Sequence, residues 1–458
     1  MPSLTKTRTP DSTSKPAIVN GTDVELQAGA VSPLSGHAEE LRRDFSVWSL
    51  GALLVCLMGT WEALSSVVAQ ALTNGQYHWV ASLAPSRSRL IASWFTGWIN
   101  IGGQIVLTAS AAFAAGLQFQ AYITLNDESG SYVPQRWQGM LFYWLVIAYS
   151  TVINIFGSRV LPHTNTVSGV AHVVGFVATV VVMGVMGIGQ QGGHSADYDA
   201  AAHLAEELPN PSRSVPLAML GSIIINGLMG LVYCIVMLFA LGDLSNLLES
   251  PTGFPFMQLF LNIMASPAGA TVLALFISLI AVAANAAGTT STSRTAWAFA
   301  RDNAIPFARY FSHVSPAHAV PVRAVVATAL LQALLGFIYL GNTTAFNAIL
   351  SMAILGMYAS YLLPIAFMLC CGRAKGSVFV ESPGPFRLGA WGPLVNAAAC
   401  AWLVVAMVFS TFPGAMPVTA GNMNYASVVL GGWVVGGAVY YVGWARRWYE
   451  GPVVEVFG

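Results

Sequence analysis

Long apolar runs fill the chain from residue 46 onward and constrain its fold more than any other feature. Each run can supply the roughly 20 apolar residues that a helix needs to cross a bilayer. Hydrophobicity is continuous within each run and does not alternate, which excludes the strands of a membrane barrel. The sequence therefore predicts an all-α polytopic membrane protein with ten spans, at about 46–72, 90–117, 140–157, 166–188, 216–241, 267–290, 321–340, 344–371, 389–411 and 425–445.

Charged residues are too few to cover the surface of a water-soluble protein. They make up 8% of the 458 residues, and the formal net charge is zero, whereas soluble domains carry about 25%. This composition excludes a soluble enzyme, a nucleic-acid-binding protein and a disordered scaffold. Phosphate-binding loops, nucleophile elbows and metal-spaced Cys/His sets are absent from the sequence. We therefore expect no enzymatic activity, no cofactor and no metal site.

The two ends of the chain differ from the apolar body. Residues 1–45 are polar and rich in Ser, Thr and Pro, which is typical of a disordered tail. Residues 46–447 form the predicted transmembrane domain, and 448–458 form a short second tail. Arg42-Arg43 and Arg446-Arg447 flank the body. Because positive charge on short flanking segments marks the cytoplasmic side, both termini are predicted to be cytoplasmic.

The same charge rule fails in the first half of the chain. Arg87 and Arg89 follow the first run, and Arg159 follows the third, where strict alternation of spans would place the chain outside. The conflict indicates one absent span between residues 73 and 90 and another between 189 and 214. Neither stretch is apolar enough to supply a span.

Glu62 is the only acid within the core of a clear apolar run, and a buried ionisable group in a span is a functional candidate. It lies in the segment Thr60-Trp61-Glu62-Ala63, which is poorly helix-forming and predicted to unwind. A carboxylate with freed carbonyls suits a substrate ammonium or a coupling proton, and Trp61 could stack on an organic cation. The alternatives are a protonated Glu62 bonded to a neighbouring helix, or one near the membrane surface.

Other polar residues are weaker candidates for coupling or gating. Asp199, His203 and Glu206, followed by Glu207, give one polar helical face, although a solvated helix end before a proline explains it equally. His172, inside an apolar run, is either a proton relay or a hydrogen-bonded core histidine. Asn226 and Asn285 are predicted to make interhelical hydrogen bonds. The hydroxyls around Thr289 and Thr290 could face a cation or bond their own backbone.

Four segments resemble a known family in residue type and order. They are 75–80 (GQYHWV), 198–216, 293–307 (SRTAWAFARDNAIPF) and 417–425 (PVTAGNMNY). This pattern resembles the fungal amino acid/choline transporters, which include GABA and choline permeases, of the amino acid–polyamine–organocation superfamily. The resemblance covers residues from about 40 to 450.

The resemblance implies twelve spans in a five-plus-five inverted repeat, with spans one and six broken at mid-membrane, where the substrate binds. The break in span one maps onto Thr60, Trp61, Glu62 and Ala63, and the inner half of span six begins at Tyr198 and Asp199. These residues are the predicted substrate contacts. The chain lacks span two and the outer half of span six, each gap being about 35–40 residues. These are the gaps that the charge pattern indicates, and they leave about ten spans.

The expected function is secondary transport of amino acids or related amines such as GABA or choline, commonly proton-coupled in this family. The plasma membrane is favoured over the vacuolar membrane. Two alternatives stay open, a carrier of a nitrogenous secondary metabolite and a truncated, non-transporting membrane isoform.

Overall fold

Helices form the structure. The computed structural model describes residues 76–127, 129–157, 161–186, 211–240, 246–247, 249–372, 388–413, 417–420 and 423–452. Within these ranges the chain forms twelve α-helices and two short 3₁₀ turns, at Gly389–Trp391 and Ala445–Arg447. The α-helices are α1 (Gln76–Leu83), α2 (Arg89–Leu125), α3 (Arg136–Phe156), α4 (Leu161–Met186), α5 (Pro211–Ala240), α6 (Pro255–Met264), α7 (Pro267–Arg301), α8 (Ala308–Phe311), α9 (Val322–Gly341), α10 (Thr343–Cys370), α11 (Gly392–Phe409) and α12 (Ala426–Gly443).

The described helices confirm the prediction of an all-α polytopic membrane protein. Eight of them are long and apolar enough to cross a membrane, and α5 occupies a ninth predicted run. The first predicted run, 46–72, lies outside the described residues. Several helices differ from prediction. The short helices α1, α6 and α8 were not predicted. α2 continues to Leu125 rather than ending near residue 117, and α7 continues to Arg301 rather than ending near residue 290.

α2 and α7 form the centre of the bundle. α7 packs against α2, α3, α4, α6 and α9, while α2 also packs against α1, α10 and α12. The start of α7 is fixed by Pro267 in its first turn and by the Ser266 hydroxyl, which accepts a hydrogen bond from the Gly269 N–H. Every residue from 284 to 300 is buried. This half of α7 is therefore surrounded by protein on all sides.

Small residues let α2 approach two partners closely, as expected for helices in lipid. Gly103 faces Gly356 of α10, and a Cβ on Gly356 would lie 3.0 Å from the Gly103 Cα. Gly102 contacts the indole of Trp433 on α12. The glycines of α12 are not equivalent, because Gly437 contacts Trp98 whereas Gly431, Gly432 and Gly436 have open space around them. Only some of the small residues in the runs serve helix packing.

The outer helices expose apolar side chains. Exposed residues of α11 and α12 include Leu394, Trp402, Val428, Val435 and Val439. A soluble protein would not leave so broad an apolar surface in water, whereas a bilayer covers such a surface. The chain is therefore a multi-pass membrane protein with its polar side chains gathered at the centre.

Candidate functional site

A row of uncharged polar side chains runs along the buried face of α2. Asn100, Gln104 and Thr108 lie four residues apart, so they follow one another on the same face. Asn100 Nδ2 donates to Gln76 Oε1 of α1 at 2.6 Å, and Gln104 Nε2 donates to Asn100 Oδ1 at 2.8 Å. Gln332 Nε2 of α9 donates to the Thr108 hydroxyl at 2.7 Å. The row thus connects α1, α2 and α9 inside the bundle.

Asn285 of α7 connects this row to α3. Its Nδ2 donates to the Thr108 carbonyl at 2.7 Å, and its Oδ1 accepts from the Ser150 hydroxyl of α3 at 2.7 Å. The prediction that Asn285 makes interhelical hydrogen bonds is confirmed. Asn154 of α3 donates to the Ala286 carbonyl at 2.8 Å and accepts from the Thr290 hydroxyl. We call the set Asn100, Gln104, Thr108, Ser150, Asn154, Asn285, Thr290 and Gln332 the polar core.

The polar core is buried, uncharged and nearly complete in its hydrogen bonds. Gln104 Oε1 is the exception within the polar core, and the neighbouring Thr289 hydroxyl is like it, since both are buried and make no hydrogen bond with the residues that the structure describes. α2 and α7 run antiparallel, so Gln104 and Thr289 each lie one turn beyond the Thr108–Asn285 contact in the same direction. At this level of the α2–α7 interface, Gln104 therefore offers an unbonded acceptor and Thr289 an unbonded hydroxyl. Such groups could bind an N–H donor and a carboxylate oxygen.

The hydroxyls that follow Thr289 mostly bond backbone. Thr292 Oγ1 donates to the Gly288 carbonyl at 3.0 Å, and Ser293 Oγ to the Thr290 carbonyl at 2.9 Å. Thr290 Oγ1 lies within hydrogen-bond distance of both the Ala286 carbonyl, at 3.1 Å, and Asn154 Oδ1 of α3. For these three residues the geometry is that of helix packing. In this segment the buried hydroxyls of Thr289 and Ser291 make no hydrogen bond with the described residues, and Thr289 lies one turn after Asn285 on the same face of α7.

His172 is fully buried on α4. The face of α4 that carries it packs against α7, since one turn further along Gly175 lies against the Phe276 ring. Its position inside the bundle agrees with a buried core histidine and leaves the proton-relay role as a prediction.

The predicted substrate contacts lie elsewhere in the chain. Thr60, Trp61, Glu62, Ala63, Tyr198 and Asp199, together with His203, Glu206 and Glu207, are outside the described residues. Their roles therefore stay predictions.

A second cluster, which was not predicted from the sequence, lies at the end of the bundle where α2 begins and α7 ends. Tyr77 of α1 donates its hydroxyl to Asp302 Oδ2 at 3.0 Å, and its ring packs edge-on against Phe299 at 5.4 Å. The Ser93 hydroxyl donates to the Tyr77 carbonyl at 2.8 Å and bonds the Tyr449 hydroxyl at 2.8 Å. Two of the four family-like segments, 75–80 and 293–307, therefore meet. We call Tyr77, Ser93, Trp94, Phe299, Asp302 and Tyr449 the end cluster.

Burial changes the acid–base chemistry of the end cluster. It raises the pKa of Asp302 from 3.8 to about 6, against the opposing effects of the neighbouring Arg301 and of the Tyr77 hydrogen bond. Burial, together with the Asp302 charge, also raises the pKa of Tyr77 well above its ordinary value. At the opposite end of the bundle, the Ser129 hydroxyl and the Tyr132 N–H bond the exposed Asp127 and lower its pKa. The two ends of the bundle thus carry acids whose pKa values are shifted in opposite directions, upward for Asp302 and downward for Asp127.

A sequence model of the family described as "Amino acid permease" matches residues 44–197 and 195–435. Together these stretches cover most of the chain. The chain belongs to the amino acid permease family. Its membership of the wider superfamily inferred from the four motifs agrees with this match.

Relatives of this permease include several fungal proteins. A putative amino acid/polyamine transporter of Macrophomina phaseolina is 29% identical over 410 residues, covering 83% of this chain and 90% of the relative. The choline transporter of Saccharomyces cerevisiae is 25% identical over 426 residues, covering 87% and 74%. Amino-acid permease 2 of Neurospora crassa is 24% identical over 519 residues, covering 99% and 94%.

The alignments also bear on the two gaps of this permease. The alignment to the Neurospora crassa protein runs over 519 residues although the chain has 458. That relative therefore carries internal residues that the permease lacks. The two stretches matched by the family model meet at residues 195–197, within the interval 189–214 where the charge pattern indicates an absent span.

Proposed function

We propose that the chain is a secondary transporter that carries amino acids or related small amines across a membrane. The observation that carries the proposal is the match to the permease family across both halves of the chain. Relatives named as an amino acid/polyamine transporter and a choline transporter support the substrate class. The uncharged polar core agrees with it, because neutral donors and acceptors can bind a charged or zwitterionic solute reversibly.

The proposed substrate site combines residues of the predicted spans one and six with residues at the polar core. The Glu62 carboxylate binds the substrate ammonium, with Thr60, Trp61 and Ala63 around it. Tyr198 and Asp199 are further proposed substrate contacts, and Gln104 Oε1 and the Thr289 hydroxyl supply unbonded polar groups at the polar core. A binding site near the middle of broken helices is the arrangement expected for a secondary carrier.

Proton coupling, localisation and domain limits complete the proposal. Glu62, His172, Glu206 and Glu207 are the candidates to carry the coupled proton. Residues 46–447 form the transporter domain in a lipid bilayer, between the tails 1–45 and 448–458, and both termini face the cytoplasm. The plasma membrane is its proposed location, because cells take up external amines there.

An uptake assay tests the proposal. The chain is expressed in cells that lack their own amine carriers, and uptake of radiolabelled amino acids, GABA and choline is measured at external pH 5 and pH 7. We expect concentrative uptake of at least one of these compounds, with a loss of tenfold or more in Glu62→Gln. Glu249→Gln is the matched control, because Glu249 is exposed between α5 and α6. Equal uptake by Glu62→Gln and the native chain would refute the role of Glu62.

The absent segments favour a second candidate, a membrane isoform that binds amines without transporting them. The alignment length supports it, since the relative carries residues missing here. Reconstituted protein that binds an amine but shows no flux would establish this candidate. Flux that returns after both segments of a relative are inserted, at 73–78 and 189–195, would assign the loss to the gaps.

A further inference from the structure

Two apolar stripes face the lipid on the neighbouring helices α3 and α9, and each consists of exposed side chains spaced three or four residues apart. The stripe on α3 is Leu145, Tyr149, Val152 and Phe156, and the stripe on α9 is Val326, Leu330, Leu334 and Phe337. They adjoin, because the Phe337 ring packs edge-on against Trp144 of α3 at 5.2 Å. The helices run antiparallel, and the end of α3 meets the segment before α9 where the Phe156 and His318 rings pack at 5.4 Å.

Arg323 lies at this end of the α9 stripe. It precedes Val326 by three residues, so it is on the same face and about 4.5 Å further along the helix axis. Its guanidinium carbon is 4.5 Å from the centre of the Tyr310 ring, and its Nη1 donates to the Tyr310 carbonyl at 3.3 Å. Along this face of α9, Arg323 is therefore the first charged side chain beyond the apolar surface, at the level where lipid headgroups replace hydrocarbon.

The segment that carries Tyr310 is held against the bundle on both sides of this residue. The indole N–H of Trp94 donates to the Ala304 carbonyl at 3.1 Å, and that of Trp297 donates to the Ser312 carbonyl at 2.9 Å. The Tyr310 side chain is nevertheless 55% exposed. An aromatic ring in this place is typical of residues at a membrane–water interface. The segment therefore presents the Tyr310 ring at a fixed edge of the bundle.

This edge carries positive charge that no acid of the described structure neutralises. Arg309 is exposed and directly precedes Tyr310. Asp302 is the only acid between α7 and α9, and it is buried, where it pairs with Arg301. Among the described residues, no carboxylate forms an ion pair with Arg309 or Arg323. Two arginines therefore lie beside a lipid-facing apolar surface, where an anion from outside the protein can pair with them.

From this geometry we propose that the edge formed by Arg323, Tyr310 and Arg309 binds the headgroup phosphate of an anionic phospholipid, with the acyl chains along the two apolar stripes. The Arg323 guanidinium keeps N–H groups beyond the one that bonds the Tyr310 carbonyl, and a guanidinium can bind two phosphate oxygens at once. An anionic lipid is favoured over a zwitterionic one, because a headgroup ammonium would add a third positive charge to this edge. The proposal does not depend on the transported solute or on transport.

Native mass spectrometry of the full-length protein in detergent tests the proposal. Phosphatidylglycerol and phosphatidylcholine with identical acyl chains are titrated, and the Kd of the first bound lipid is measured. We expect the native chain to bind phosphatidylglycerol more tightly, and Arg323→Gln to bind it about fivefold more weakly, which is the effect of one basic residue at a membrane surface. Arg446→Gln, which removes an exposed arginine beyond α12, should bind as the native chain does. Equal affinity of the native chain for both lipids, or the same affinity for phosphatidylglycerol in Arg323→Gln and Arg446→Gln, would overturn the proposal.

Two further measurements cover the case in which Arg323→Gln does not fold. Tyr310→Phe keeps the ring beside Arg323 and should bind phosphatidylglycerol as the native chain does, whereas Tyr310→Ala should bind it about threefold more weakly, because the guanidinium loses its cation–π contact and its fixed orientation. Equal affinities of these two variants would refute the assignment. Soluble glycerol phosphate, which has the charge but no acyl chains, should not displace the lipid at matched concentration, and displacement would overturn the lipid assignment in favour of a site for free anions. Absence of amine uptake would refute the proposed function and leave these affinities unaffected.

Discussion

Two tryptophans, Trp98 and Trp433, join α2 to α12 through reciprocal hydrogen bonds, and this tryptophan pair gives a testable prediction. Trp98 Nε1 donates to the Trp433 carbonyl at 3.0 Å, and Trp433 Nε1 donates to the Trp98 carbonyl at 2.9 Å. Their rings stack at 4.6 Å. Each ring lies over the glycine one turn beyond the other tryptophan, Trp98 over Gly437 and Trp433 over Gly102. The contact therefore requires a hydrogen atom in place of a side chain at both glycines.

Gly437→Ala should destabilise the protein by about 2 kcal/mol. The new Cβ would lie 2.4 Å from Trp98 Nε1, about 1 Å inside normal contact. Trp98 cannot easily move, because it stacks on Trp94 at 5.2 Å as well as on Trp433. Overpacking of this kind costs about 1–3 kcal/mol, and a strained indole hydrogen bond adds about 1 kcal/mol. The higher helix propensity of alanine offsets at most about 1 kcal/mol of this loss of stability.

The adjacent glycine provides the matched control. Gly436 has open space around it, so Gly436→Ala should leave stability unchanged or slightly raise it. Thermal midpoints of purified protein are compared at one heating rate and in one detergent, since membrane proteins often unfold irreversibly. On a Trp98→Phe background the cost of Gly437→Ala should shrink, because the smaller ring leaves room. Equal thermal midpoints for Gly436→Ala and Gly437→Ala would refute the argument that the Trp98 ring requires a glycine at position 437.

Four further predictions concern the polar core, the neighbouring Thr289 and His172. Thr290→Val should destabilise the protein by about 1–2 kcal/mol, because the Asn154 acceptor loses its donor. Thr289→Val, which removes an unbonded hydroxyl, should leave the thermal midpoint unchanged and alter uptake. Asn285→Ala should cost about 2 kcal/mol, since it leaves the buried Ser150 hydroxyl without its acceptor and removes the interhelical bond to the Thr108 carbonyl, and a midpoint within error of the native chain would contradict this. His172→Gln should lower the thermal midpoint without changing the pH profile of uptake, and a flattened profile would instead establish a proton relay.

The positions of the helices were predictable from the sequence because membrane spans are continuous apolar runs. The end of α7 was not, because residues 289–294 are hydroxyl-rich and carry Arg294, which lowers their hydropathy. In the structure these residues are buried within protein, where hydrogen bonds replace hydrophobicity as the stabilising interaction.

Contacts that depend on how the helices cross could not be predicted from the sequence. The interhelical bonds of Asn285 could be predicted, since a buried amide in a span needs partners, but the identity of those partners could not. The pairing of Tyr77 with Asp302 joins residues 225 positions apart, and no periodicity reveals it. The glycines Gly436 and Gly437 look alike in sequence, and only the crossing of α2 and α12 distinguishes them.

The attachment of α1 has a consequence for when this helix can form. Its described bonds reach forward in sequence, to Ser93, Asn100 and Asp302. The most distant of these partners lies 225 positions along the chain. Among the described residues, α1 therefore acquires its full set of contacts only after α7 has been synthesised and has entered the bundle.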